Sequence, residues 1–438
     1  MSIPQRMVAD EFARASGYGP LAMNALPYQS TTRTRAANAL VTDSAAAATA
    51  IACGEKTNVG ALGVGPDGTR LESVAEIAHK KGMKVGIMTT VTIVHATPAG
   101  FYAHRKSRGE YYNIALDLVD SGFDFFAGGG VYDKYDDAKN KNYRGNVFDL
   151  ARKAGYEVVE SRDEFSALRP GCGKVWGVFS KDALDFAIDR TDRQPRPAEM
   201  LEKCIELIDG PNGFFIMTEG GKLDYAAHAN DPASVVAETI DLDKAVKVAV
   251  AFAAKHPDDT LIITTGDHET GGMAMGFAGI GYKFYVGLLA NQKCSTETFS
   301  NRIAARITAN PSIKFDDVKA DVTSQFGLVF EQREADTPDK KLLLLSASEV
   351  DELRKAFEAD VEMISAKVSE TRAHDVARRR KFAATVKRLL SNHAGVGWSS
   401  GAHTAMPTMT TAQGCGAENF IGFLENHDIA RKLKAMLQ

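Results

Sequence analysis

Short apolar runs alternate with amphipathic stretches along most of the chain, and this alternation predicts its architecture. Residues 3–15 (IPQRMVADEFARA) have a helical spacing with Pro4 in the first turn, where proline is tolerated. A helix is predicted over 71–81, then a strand over 84–90 (KVGIMTT) that runs into His95-Ala96-Thr97-Pro98. Further on, helical and strand patterns take turns: a helix at 111–121, Asp124-Phe125-Phe126 before Gly128-Gly129-Gly130, and an apolar run at 175–179. The run 213–218 (GFFIMT), a helix from about 232 to 256 and the run 260–265 (TLIITT) complete the series. Apolar strands alternating with helices read as an α/β fold, a mostly parallel sheet flanked by helices on both faces. In such sheets the ligand site lies beyond the carboxyl ends of the strands.

The pattern changes between 272 and 400. This stretch has a charged middle and a long amphipathic helix with Val350, Leu353, Phe357, Val361 and Ile364 on one face, and Ser348 with Asp351 offers a capping box. It reads as an insertion, giving a core of residues 1–271 and 401–438 interrupted by residues 272–400. The run Arg378-Arg379-Arg380-Lys381 reads as a solvated helix face.

Composition removes several function classes. A net charge of −4 over 438 residues gives no basic field for nucleic acid, and no 18-residue apolar run is present to span a membrane. Five scattered cysteines form no CxxC pair, and the first residues lack the features of a secretion signal.

Candidate chemistry sits at the ends of the apolar runs. Asp43-Ser44-Ala45-Ala46-Ala47-Ala48-Thr49 sets one hydroxyl at the predicted start of a tightly packed helix, with Asp43 or Ser44 as its cap. That start suits either an ordinary capped core helix or a serine that must become an alkoxide beside a phosphate. In Glu219-Gly220-Gly221-Lys222-Leu223-Asp224-Tyr225-Ala226-Ala227-His228, a carboxylate ends a strand, and Asp224 and His228 stand four apart. On a helix that pair is either a metal-ligand pair or a surface ion pair. Asp267-His268-Glu269 ends the run 260–265 and supplies a second carboxylate and imidazole. An exposed polar turn would look similar, but two such pairs at the ends of two parallel strands are harder to dismiss, and they suit two divalent ions about 4 Å apart, a clamp used for phosphoryl displacement. The other histidines, at 79, 104, 256, 374, 393 and 427, read as surface or packing residues.

With these segments in order, the chain resembles the alkaline phosphatases. The resemblance rests on DSAAAAT at 43–49, HATP at 95–98, Ser107-Arg108, EGGKLDYAAH at 219–228, TTGDHETGG at 264–272, Ala402-His403-Thr404 and GAENFIG at 416–422. The 272–400 insertion falls where these enzymes carry a variable crown. The resemblance implies hydrolysis of phosphate monoesters through a phosphoserine on Ser44, with Asp43 orienting Arg108 to hold two phosphoryl oxygens. It also implies two zinc ions and one magnesium: zinc on Asp224, His228 and His403, zinc on Asp267, His268 and the Ser44 oxygen, and magnesium on Thr97 and Glu219. His95 stands near the third ion at a position that leaves its identity open between magnesium and zinc. Substrate and product would be a phosphomonoester and inorganic phosphate, with room for a homodimer and a periplasmic or secreted location for a longer product. A related metal-dependent phosphodiesterase or sulfatase is the alternative, and a weakly active metal- or phosphate-binding remnant is another. Family members open with a strand ending in Gly-Asp-Gly-Met whose aspartate bridges the second zinc and magnesium. The chain begins Met1-Ser2-Ile3-Pro4-Gln5, directly after that motif, so weak binding at those two ions and slow turnover are expected.

Overall fold

A computed structural model describes residues 1–366 and 380–437. The expected alternation is present. Five parallel strands form one sheet in the order β4-β5-β3-β2-β6: β2 (Lys84–Thr92), β3 (Phe125–Gly129), β4 (Tyr156–Val159), β5 (Lys174–Val178) and β6 (Phe214–Glu219). A second sheet has the order β13-β1-β12-β7, with β1 (Tyr28–Arg33), β7 (Leu261–Thr264), β12 (Thr408–Gly414) and β13 (Gly422–Glu425). Here β12 runs antiparallel to both β1 and β7. The carboxyl-terminal segment therefore returns through the core in the opposite direction, which the local apolar pattern does not reveal.

The inner edges of the two sheets lie between the same helices. Above them, Ala249 of the long helix Pro232–Ala253 packs in the cluster holding Phe214 and Ile216 and also in the one holding Ile262. On the other face, Ile51 and Leu433 belong both to the core around Phe215 and Met217 and to that around Leu261 and Ile263. Among the described residues, however, β6 pairs only with β2 and β7 only with β12. All six residues of β6 are half-buried, whereas eight of the nine residues of β2 are buried. The sheet is thus divided along a seam, and the carboxyl ends of both inner strands point at the same place.

Within residues 272–400, β9 (Met273–Met275) pairs with β10 (Val396–Trp398) as an antiparallel neck. The helices Thr296–Ala309, Ala347–Ser365 and Lys381–Ala394 follow from it, and their core of Phe299, Phe357 and Phe382 is continuous with Val8 of the helix Ile3–Ala15 and Val235 of the long helix. The long amphipathic helix starts two residues earlier than its pattern suggests, because Ser346 and Glu349 form the capping box in place of Ser348 and Asp351. Of the basic run, Arg378 and Arg379 lie outside the described residues. Arg380 donates to Asn301 and Lys381 opens a helix. No helix among the described residues is long and apolar enough to cross a membrane.

Candidate functional site

The serine begins its helix where the alanine pattern places it. Ser44–Cys53 is capped by Asp43, whose carboxylate accepts from Ala46 N at 3.0 Å and from Gly60 N at 3.1 Å. Four alanines follow Ser44, and they let the helix pack closely enough to leave this residue only 3 % exposed. Asp43 also receives Arg108 Nη1 at 3.0 Å, and Arg108 Nη2 reaches His95 Nε2 at 3.1 Å. Burial alone would raise the Asp43 pKa, but the two backbone donors and Arg108 hold it below the usual carboxylate range. For His95, burial first and then the Arg108 charge outweigh the opposing pull of Asp224 and Asp267 and push it down to about 4. A neutral imidazole that accepts from the guanidinium at Nε2 carries its proton on Nδ1, and that buried nitrogen has no partner among the described residues. Asp43, Ser44, Arg108 and His95 form one connected group.

The second group comes from β6, from the helix Lys222–His228 and from the turn after β7. Glu219 ends β6, and burial together with nearby Asp267 and Asp224 pushes it up to about 7 against the pull of Thr89 and Thr97 hydroxyls. Gly221 leaves no space for a side chain here, since a Cβ would stand 2.7 Å from Val91 and 3.0 Å from the Glu219 carboxyl carbon. Asp224 and His228 lie on one helical face, with the His228 Nε2 3.5 Å from an Asp224 oxygen. Lys222 turns away, its ammonium 3.6 Å from the centre of the Phe186 ring. The strand β8 (Glu269–Thr270) pairs with β11 (His403–Thr404), which sets His403 opposite Thr270. Oxygen and nitrogen atoms of Asp224, His268 and His403 then lie within 4.8 Å of one another.

The hydrogen bonds of these histidines fix their tautomers. His228 Nδ1 is 2.8 Å from Gly401 O and His403 Nδ1 is 2.8 Å from Thr42 O, so each Nδ1 donates to a carbonyl. Both Nε2 lone pairs then point at each other across 3.1 Å, with the Asp224 carboxylate 3.5 and 3.7 Å away. At the next position, Thr270 donates to Asp224 at 2.6 Å and so accepts from His268 Nδ1 at 3.2 Å. His268 Nε2 is left facing Ser44 Oγ at 3.0 Å and Asp267 at 3.1 Å. Burial works against ionisation of Asp267, but His268 overrides it and holds the carboxyl low, while burial and Asp267 oppose each other at His268 and leave it raised. Lone pairs and carboxylates aimed at shared points repel unless a cation lies among them, so the donor set fits divalent metal.

The structure gathers Ser44, Asp224, His228, Asp267, His268 and His403 at one place, with Asp43, Arg108 and His95 beside them, Glu219 near Asp267 and Thr97 bonded to Glu219. Its supports were not apparent from the sequence. Thr270 joins Asp224 to His268, Gln5 Nε2 holds the Thr270 carbonyl at 2.6 Å, and the Met1 ammonium donates to the His268 carbonyl at 2.8 Å. Thr270 stands two residues after His268, a spacing that could have drawn notice. Gln5 is 265 residues away and gave no signal.

A family model described as alkaline phosphatase matches residues 5–438. The chain belongs to the alkaline phosphatase family. Alkaline phosphatase 3 of Bacillus subtilis is 31% identical over 405 residues, covering 91% of this chain and 77% of that one. The crystal structure of a cold-active alkaline phosphatase from Shewanella sp. superposes with a TM-score of 0.82 at 25% identity, over 100% of this chain and 97% of that one. That of Thermus thermophilus alkaline phosphatase gives 0.79 at 25% identity, over 99% and 88%. A variant of the alkaline phosphatase of the Antarctic bacterium TAB5, described with Mg bound in its M3 site, shares the fold at 23% identity and a TM-score of 0.63. Members of the alkaline phosphatase family hydrolyse phosphate monoesters, and this chain carries their fold throughout.

Proposed function

We propose that the chain hydrolyses phosphate monoesters with Ser44 as nucleophile. The observation that carries this reading is the placement of Ser44 Oγ 3.0 Å from His268 Nε2, at the start of a helix and beside an arginine already oriented by a carboxylate. Ser44 attacks phosphorus as its proton leaves, the bond to the leaving alcohol breaks in line, and that alcohol takes up a proton. Water then cleaves the phosphoserine, restoring Ser44 and releasing inorganic phosphate. Arg108 holds phosphoryl oxygens with its planar fork, and Asp43 keeps that fork aimed. The positive end of the helix dipole favours the serine oxyanion.

Asp224, His228 and His403 would hold one zinc, Asp267 and His268 with Ser44 a second, and Glu219 with Thr97 a magnesium, while His95 leaves the third ion open to zinc. When bound, such ions stabilise charge on attacking and leaving oxygens. Support for the metal set comes from the facing Nε2 lone pairs of His228 and His403 and from the raised Glu219, whose burial beside two carboxylates favours neutralisation. Ser44→Ala tests the nucleophile. Phosphate release is expected to fall by about 10³-fold or more, and acid-quenched wild type should carry a phosphate on the peptide containing Ser44. Unchanged turnover in Ser44→Ala would overturn the reading.

A further inference from the structure

His228 is the last residue of the helix Lys222–His228, and a short turn, residues 229–231, carries the chain from it into the long helix Pro232–Ala253. The amides of Ala229, Asn230 and Asp231 bond back to Tyr225 O, Ala227 O and Ala226 O, and Asp231 caps the long helix, accepting from Ser234 N and Val235 N. Asn230 takes a left-handed backbone with φ of 52°, and its buried Oδ1 has no partner among the described residues. The remaining hydrogen bonds to this turn, among the described residues, come from the 272–400 insertion. Lys387 Nζ donates to Ala229 O at 2.7 Å, and Gln292 Nε2 donates to Asp231 Oδ1 at 2.8 Å. Asp231 Oδ2 accepts from Thr296 N at 2.9 Å and from Thr296 Oγ1 at 2.7 Å.

Lys387 is the member of this set whose presence needs a reason. It is 7% exposed, and among the described residues no carboxylate reaches ion-pair distance of its ammonium, although Asp231 offsets the charge from farther away. An ammonium withdrawn from water is unfavourable where its one close partner is a neutral carbonyl. What it fixes therefore accounts for its place better than what it stabilises. That carbonyl belongs to the residue after His228, whose ring is held from the other side by Gly401 O at 2.8 Å. The helix Lys381–Ala394 and the segment that follows the insertion thus grip one histidine by backbone and by ring, with its Nε2 3.1 Å from that of His403.

We propose that Lys387 and Thr296 are positioning residues for His228, through which the insertion sets how tightly the His228 and His403 pair holds zinc. The inference rests on the metal set proposed above. Zinc affinity, measured by competition with a chromogenic chelator on folded protein, is expected to fall about tenfold in Lys387→Met, which keeps the apolar stem and removes the donor. Thr296→Val, which takes one donor from Asp231 and keeps its amide, is expected to weaken zinc about threefold. Arg388→Ala, which removes the neighbouring pair with Glu352 on the same helix, is expected to leave the affinity unchanged. Loss of packing alone would lower the melting temperature without moving the zinc affinity of the folded protein. Wild-type affinity in Lys387→Met would overturn the proposal, as would an equal loss in Arg388→Ala. Where Lys387→Met fails to fold, Thr296→Val decides, and unchanged affinity there overturns it. Wild type whose zinc binding is unaffected by His228→Ala would overturn the metal set itself, and this inference with it.

Discussion

The two halves of the site are built differently. Around Ser44, the phosphate-binding half is tied together by its own hydrogen bonds, with only His95 Nδ1 left without a partner among the described residues: Asp43 accepts from two backbone amides and from Arg108, and Arg108 also reaches a neutral His95. Around Asp224, the other half does not close. There His228 and His403 present lone pairs to each other at 3.1 Å, and Glu219, Asp224 and Asp267 crowd together with one of them raised to about 7. The first half is therefore preorganised by the chain alone, whereas the donor set of the second fits a cation that would relieve its repulsion. The seam between β6 and β7 runs into this second half, since Glu219 ends one edge and Asp267 follows the other.

That contrast can be broken or sharpened by experiment. The largest effect is expected from the open half: chelation, or His403→Ala in metal-replete protein, should lower phosphate release by about 10³-fold. Zinc should restore the chelated wild type, and its melting temperature should rise on reloading.

A somewhat smaller effect is expected from His95 in the closed half. Its folded pKa of about 4 lies below the ordinary 6.5, so the unfolded chain takes up a proton that the native state refuses. Stability of chelated protein is then lost as pH falls from 6.5 towards 4, by up to about 3 kcal/mol. Urea melts across that range should show the loss, and His95→Gln should flatten it.

Next in size, Arg108→Ala should reduce kcat/KM by about 10²-fold through loss of the bidentate contact, with metal content unchanged. The smallest effect is expected from Asp43→Asn, about tenfold in kcat/KM, because Arg108 keeps its bond to His95 while losing its charged partner. A loss of metal on either of these two changes would erase the distinction between the halves.

Much of this was legible in the chain because each chemical residue sits at the end of a locally recognisable element. Ser44 begins an alanine helix, Glu219 ends an apolar strand, and Asp224 and His228 share a helical face, all of which depend on neighbours in sequence. Long-range pairings were not legible. Nothing near Thr408–Gly414 shows that this strand runs antiparallel to β1 and β7, and nothing near Gln5 points to the Thr270 carbonyl 265 residues away. The capping box at Ser346 and Glu349 was misplaced by two residues because Ser346 and Ser348 both precede an acidic residue by three. Local spacing could not choose between them.

The central claim is that the converging histidines and carboxylates exist to hold metal beside Ser44. Elemental analysis of protein dialysed against zinc and magnesium, done in parallel on wild type and on the double variant His228→Ala with His403→Ala, measures it directly. The account predicts zinc in at least equimolar amount in the wild type and a matching loss of zinc and of phosphate release in the variant. Metal-free wild type that releases phosphate at the full rate, or a variant that keeps its zinc, would contradict it.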